Sequence, residues 1–269
     1  MQTKIRHVAI YTDHHDAMTR FYKTVFGMKQ FTNSVEADGR VNTERGQITD
    51  GVIGLAILHK SPGLQSGPDH FGFQVEDMDE ALNRIRRSFP DILMTKGFED
   101  VPFAATRIHD PAGVHIDVAQ KGGGNLKGGY AEEGWNQPRH FHHLAIRAAK
   151  PDQVADFYQT VFEMSRIPEW PVRNEFCLSD GQSYLIIRPC EDTSYRRMKQ
   201  GFDHLGFKVE DLDAAKKDLQ EMATAFPDSA PRKVGTGRTG ASAVRDMETC
   251  PMGKHAISDS DGILIDLLT

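Results

Sequence analysis

Six side chains in this sequence have the types and spacing to do chemistry: two histidines and one aspartate in each half. They are His7, His70 and Asp117, and then His143, His204 and Asp266. Two imidazoles and one carboxylate converging on a point occupy one face of a six-coordinate divalent ion. Three positions stay open for substrate, water or oxygen, which suits Fe(II) chemistry with O2. The same set also serves Lewis-acid chemistry at Mn, Zn or Ni. The competing reading is that these are polar groups at strand ends. One histidine on a strand is usually structural; the same trio occurring twice at matching positions favours metal.

The match is a matter of register. His7-Val-Ala-Ile-Tyr-Thr and the following Phe21-Tyr22-Lys-Thr-Val-Phe-Gly27-Met28 return as His143-Leu-Ala-Ile-Arg-Ala and Phe157-Tyr158-Gln-Thr-Val-Phe-Glu163-Met164, both offset by 136 residues. Asp69-His70-Phe-Gly-Phe-Gln-Val-Glu-Asp returns as Asp203-His204-Leu-Gly-Phe-Lys-Val-Glu-Asp, offset by 134. Asp110-Pro-Ala-Gly-Val-His-Ile-Asp117 returns as Asp259-Ser-Asp-Gly-Ile-Leu-Ile-Asp266. Three matches in the same order indicate a tandem duplication. Two groupings of the ligands are open. One is His7, His70, Asp117 with His143, His204, Asp266; the crossed one is His7, His204, Asp266 with His70, Asp117, His143. Sequential elements usually lie adjacent, which favours the uncrossed form. His142 is a register rival of His143, since a one-residue slip reverses which side chain faces inward. The offset of 136 selects His143.

The elements that must position these groups follow from periodicity. Short alternating runs, Val8–Tyr11 and Phe71–Val75, read as strands. Helices with Asp-rich starts follow, one placing Met78, Leu82 and Ile85 on a face and its repeat placing Leu212, Ala215 and Leu219. Apolar runs Val52–Leu58, Tyr184–Ile187 and Ile263–Leu267 read as further strands. The unit is βαβββ, four times over, giving an α+β fold with helices outside curved sheets. Residues 1–120 form the expected first domain, 121–138 a linker opening on the Gly-rich run Lys121–Gly129, and 139–269 the second domain.

In these marks the chain resembles the vicinal oxygen chelate superfamily, which includes glyoxalase I, extradiol dioxygenases and the bleomycin and fosfomycin resistance proteins. The marks are a first-strand His (His7, His143), a helix carrying Phe-Tyr (Phe21-Tyr22, Phe157-Tyr158), a second His (His70, His204) and a closing Asp-x-x-Gly turn (Asp110–Gly113, Asp259–Gly262). The resemblance implies paired βαβββ modules curling into a vicinal-oxygen-chelate-type curved sheet around a metal. In the two-domain members it implies that the working metal sits in the C-terminal half, at His143, His204 and Asp266. The expectation is an Fe(II) dioxygenase similar to extradiol ring-cleaving enzymes, taking O2 and a small catechol-like substrate with adjacent oxygens. Two alternatives stand: a non-redox lyase or isomerase of glyoxalase type, and a metal-free small-molecule binding or resistance protein. The chain departs from the family at three points. Its terminal ligands are Asp117 and Asp266 instead of Glu. Its first-module strands lack the acid of glyoxalase I. Ala256 stands where extradiol enzymes have a Tyr, ten residues before the terminal acid.

Composition bounds the rest. The chain has 269 residues, 39% hydrophobic and 26% charged, with net charge −6. A bulk-basic nucleic-acid or membrane-surface binder is excluded. No apolar run approaches ~20 residues, and residues 1–7 do not read as a secretory signal. Three cysteines without a CxxC suit a reducing cytoplasm, with Cys177 and Cys190 expected in the core. Self-association into a homo-oligomer is left open. His255, eleven residues before Asp266, is the candidate acid–base group. Gly235–Gly240 fits GxGxxG but reads as a loop. The basic stretch 232–243 is a candidate lid, where Arg232, Lys233 and Arg238, with Arg245 just beyond, would meet an anionic substrate or simply be solvated. His14, His15, His140 and His142 are expected at the surface or strand edges.

Overall fold

A computed structural model describes residues 3–30, 47–97, 103–123, 134–190, 199–232, 252–253 and 255–269, with backbone only at 255. Four βαβ-type modules follow one another. The first runs β1 (Lys4–Thr12), α1 (His15–Phe26), β2 (Lys29–Gln30), β3 (Gln47–Thr49), β4 (Gly54–His59). The second runs β5 (Gly67–Val75), α2 (Met78–Ser88), β6 (Thr95–Lys96), β7 (Thr106–His109), β8 (His115–Gln120). The third runs β9 (His140–Ala148), α3 (Pro151–Phe162), β10 (Ser165–Arg166), β11 (Phe176–Ser179), β12 (Tyr184–Pro189). The fourth, in its described part, runs β13 (Gly201–Lys208), α4 (Leu212–Ala225), β14 (His255–Ser258), β15 (Leu264–Leu268).

These strands make two mixed sheets. One is eight-stranded in the order β2-β3-β4-β1-β5-β8-β7-β6; the other is seven-stranded in the order β10-β11-β12-β9-β13-β15-β14. The duplicated α+β architecture is therefore observed, and the sheets follow the uncrossed grouping. Central strands are buried on both sides, so they read as nearly continuous apolar runs.

The repeated sequence marks have local physical causes. Asp77 and Asp211 are N-caps: their carboxylates accept the backbone N–H of Glu80 at 2.9 Å and of Ala214 at 2.6 Å. Each such cap is worth ~1 kcal/mol. The buried stripe of α2 is Ala81 and Ile85, with Met78 and Leu82 only half-buried at its margin. Helix α1 ends on Gly27 at φ 65°, a left-handed cap. Helix α3 ends the same way on Glu163, φ 53°, whose carboxylate lies 2.6 Å from Arg84.

By packing, the chain divides into two compact units. One comprises Met1–Val8, Asp69–Tyr130 and His143–Asp203; the other comprises Ala9–Pro68, Ala131–His142 and His204–Thr269. In the first, α2 packs against α3, and Phe73 stacks on Phe162 at 4.1 Å. In the second, α1 packs against α4, and Phe26 stacks on Phe207 at 4.0 Å.

Four buried turn aspartates fasten these units by one device. One carboxylate oxygen closes the residue's own turn; the other accepts a donor distant in sequence. In the first unit Asp110 Oδ1 takes the N–H of Ala112 and Val114, while Oδ2 accepts the Tyr158 hydroxyl at 2.8 Å. Asp180 closes onto Gln182 and Ser183 and accepts the Ile5 N–H at 2.7 Å. In the second unit Asp259 closes onto Asp261 and Ile263 and accepts the Tyr22 hydroxyl at 2.9 Å. Asp50 closes onto Val52 and Ile53 and accepts the Phe141 N–H at 2.8 Å and the Trp135 indole at 2.9 Å. Burial raises the pKa of all four, and Asp259 is pushed up to about 7. The Phe-Tyr helices and Asp-x-x-Gly turns are thus two ends of the same fastening.

Candidate metal centres

In the eight-stranded sheet, β1, β5 and β8 carry His7, His70 and Asp117 to one place, all three buried. Alternation puts Phe71, Phe73 and Val75 of β5 on one face and His70 and Gly72 on the other. Gly72 pairs with Asp117, and Asp117 pairs in turn with Arg107 of β7. A Cβ at Gly72 would stand 2.9 Å from the Phe103 ring and 3.1 Å from the His7 Cβ, so glycine lets these groups close up.

The interior of this triad is densely connected. His7 Nε2 and His70 Nε2 are 3.3 Å apart, and the His70 Nδ1 lies 2.7 Å from Asp69 Oδ2. The Arg107 guanidinium reaches in from β7. Its Nε is 2.6 Å from Asp117 Oδ1, one terminal nitrogen is 2.9 Å from Asp117 Oδ2, and that same nitrogen is 3.2 Å from His70 Nε2. Phe103 stacks on the His7 ring at 5.1 Å and 9°. Burial, then the neighbouring His70 and Arg107, hold the His7 imidazole well below its ordinary pKa, so it is neutral.

In the seven-stranded sheet, β9, β13 and β15 carry His143, His204 and Asp266, again all buried. Each offers one ligand atom, and the three atoms lie within 4.8 Å of one another. Ligands on a single ion at ~2.0–2.2 Å stand roughly 3–4.3 Å apart, so the set is compatible with one ion. Asp266 pairs across the strands with Ala256, where Asp117 has Arg107. This register position supplies no cation in the second half. Gly253 lies against this carboxylate: a Cβ there would stand 2.0 and 2.2 Å from the two Asp266 oxygens. Only glycine fits so close an approach of the backbone to this carboxylate, because any side chain would collide with it.

The uncrossed trios are the ones brought together, and His143, not His142, is the member facing its triad. His142 is half-buried; burial, then His140 and Lys208, push its imidazole down to about 4. His140 stacks on Trp135 at 4.3 Å. Two surface and core expectations need correction. His15 is buried instead of exposed, because it starts α1 against β4 and its ring stacks on His59 at 4.6 Å. Cys190 is only half-buried, since it follows the last residue of β12, whereas Cys177 lies in the core as expected. Arg232 is exposed, 4.0 Å from Asp261. Lys233, Arg238, Arg245, Gly235–Gly240 and the remainder of the lid lie outside the described residues, as does the His255 side chain, whose backbone pairs with Leu267. Sequence reasoning missed Arg107, Phe103 and Gly253. Arg107 was findable: it stands ten residues before Asp117, the spacing at which Ala256 precedes Asp266.

The sequence profile of the Glyoxalase/Bleomycin resistance protein/Dioxygenase superfamily matches residues 4–118 and again 140–267. The chain belongs to this superfamily. No curated protein sequence matches it significantly. Solved structures with the superfamily fold do. The 2,3-dioxygenase LapB from Pseudomonas sp. KL28 is similar with TM-score 0.60 at 15% identity, over 98% of this chain and 91% of that one. The Mn(II)-bound glyoxalase from Novosphingobium aromaticivorans is similar with TM-score 0.60 at 11% identity, over 98% and 81%. The 2,2',3-trihydroxybiphenyl 1,2-dioxygenase from Sphingomonas wittichii strain RW1 is similar with TM-score 0.59 at 11% identity, over 99% and 90%. At such identities the likeness establishes the fold, which the redox and non-redox branches of the superfamily share. Among the described residues, no helix is long and apolar enough to cross a membrane.

Proposed function

We propose that the chain is a metal-dependent dioxygenase that holds Fe(II) at His143, His204 and Asp266 and acts on a small substrate with adjacent oxygens, such as a catechol. The observation that carries this reading is the second triad itself: two imidazoles and one carboxylate, buried and convergent. Bound there, a ferrous ion supplies adjacent open positions and electron exchange with O2. The protein's part is to present the two imidazoles neutral, because a protonated ring has no lone pair to give. His143 and His204 are both buried, which keeps bulk water away from the site. Asp266 contributes one negative charge, which lowers the charge of the loaded site. It is one methylene shorter than Glu and would hold an ion from a correspondingly shorter reach.

The test is anaerobic Fe(II) reconstitution followed by oxygen uptake with catechols, hydroquinones and 2-oxo acids. Uptake that matches substrate loss and requires iron is the expected result. Bound metal without uptake would replace this reading by the non-redox lyase or isomerase. Ligand binding with no metal at all would replace it by the binding protein.

A further inference from the structure

We propose that Arg107 is a built-in substitute for the ion in the first triad, so that His7, His70 and Asp117 form a metal-free site closed by the protein's own cation. The geometry of the hydrogen bonds carries this. A metal would need the lone pairs of His7 Nε2 and His70 Nε2 and an oxygen of Asp117. Each of these is already committed. Both Asp117 oxygens accept from the Arg107 fork, at 2.6 and 2.9 Å, the bidentate arrangement that guanidinium and carboxylate favour.

The imidazoles follow from the same network. Arginine only donates, so His70 Nε2, 3.2 Å from the guanidinium, is an acceptor. Its proton is then on Nδ1, where Asp69 accepts it at 2.7 Å. His7 Nε2, 3.3 Å from the same acceptor, completes the contact by donating. The single lone pair of His70 Nε2 is thus shared by two donors, with Asp117 Oδ2 3.3 Å from the same nitrogen, and the His7 nitrogen that would bind an ion carries a proton. Phe103 lies flat against His7 and packs the site further. The second half cannot repeat this arrangement from the same strand position, because Ala256 stands there.

The inference concerns metal stoichiometry and stands apart from the choice of reaction. The experiment is equilibrium Fe(II) and Mn(II) loading of the full chain, with metal per chain measured by mass spectrometry and folding by circular dichroism. The wild type is expected to hold one equivalent. His70→Gln is expected to leave that number unchanged, while His143→Ala takes it to zero. Arg107→Met is expected to bind one equivalent more than the wild type, and the added equivalent should vanish in Arg107→Met/His70→Gln. Two equivalents in the wild type, or a loss of metal in folded His70→Gln, would overturn the proposal. So would a folded Arg107→Met that gains nothing. If Arg107→Met does not fold, the His70→Gln result decides alone. A wild type with no metal would defeat the proposed function, yet a gain in Arg107→Met would still support this inference.

Discussion

Tyr22→Phe removes one hydroxyl from the second unit and keeps the ring that packs on Phe26 and Phe207. It isolates the bond to Asp259 at 2.9 Å. The cost depends on the charge of Asp259, whose pKa burial raises from 3.8 to about 7. A raised carboxyl pKa makes a contribution to stability that is complete below pH 4 and is lost as pH rises through 7. The shift of roughly 3 units corresponds to ~4 kcal/mol across that window. The Tyr22 hydroxyl opposes the shift because it donates to the ionised form. Without it, the ionised carboxylate is held by the N–H groups of Asp261 and Ile263 alone, with the Asp261 carboxylate nearby to repel it. At pH 5 the variant loses a bond to a neutral acid, ~1 kcal/mol; at pH 8.5 it loses a bond to a charge, ~2–3 kcal/mol. For a chain of this size that is about 2 °C in Tm at pH 5 and about 4–6 °C at pH 8.5. The assay is thermal unfolding of both proteins at both pH values with metal content matched. Titrations shared by the two proteins cancel in the difference. An equal shift at the two pH values, or a larger one at pH 5, would refute the reasoning.

Three further outcomes are expected. His143→Ala, His204→Ala and Asp266→Ala should each reduce bound metal to under about a tenth while retaining the far-UV spectrum, since one of three ligands is lost and little core with it. Gly253→Ala would place a methyl group 2.0–2.3 Å from the Asp266 carboxylate, so metal affinity should fall on the order of 10–100-fold, measured by competition with a chelator. Asp266→Glu should keep metal but lose on the order of 100-fold in oxygen uptake, because the longer side chain displaces the ion from its working position. Unchanged turnover there would show that the short acid is not tuned to the reaction.

The duplication was readable because the His and Phe-Tyr marks share one offset. What Tyr22 and Tyr158 do was not, because their partners lie 237 and 48 residues away. Asp50 and Asp180 escaped for another reason. Thr49-Asp50-Gly51 and Ser179-Asp180-Gly181 match as turns, but their offset is 130, so length changes in the intervening loops hide the correspondence. The ligand triads emerged because strand alternation and repeat register together determine which histidine faces inward. Arg107 did not, since an arginine on a short polar strand normally reads as solvated charge. Its ten-residue spacing before Asp117 was the one signal available, and the pairing of β7 with β8 shows that it turns inward to Asp117.

That strand position distinguishes the two triads, and its effect can be argued energetically for the first. Asp117 is buried, and a buried carboxylate without a partner is costly by several kcal/mol. Either an exchangeable ion or a tethered guanidinium answers that need. They cannot share it. An ion bound to the Asp117 oxygens would stand roughly 4 Å from the guanidinium that grips them. A divalent charge at that distance from a single positive charge is opposed by about 8 kcal/mol at an effective dielectric constant of 20. The side chain is always present at high local concentration, whereas the ion must be recruited from solution. With Arg107 in place the first triad keeps the polar neutralisation its fold requires and gives up open coordination. With Ala256 in that place, this strand position offers Asp266 no such cation.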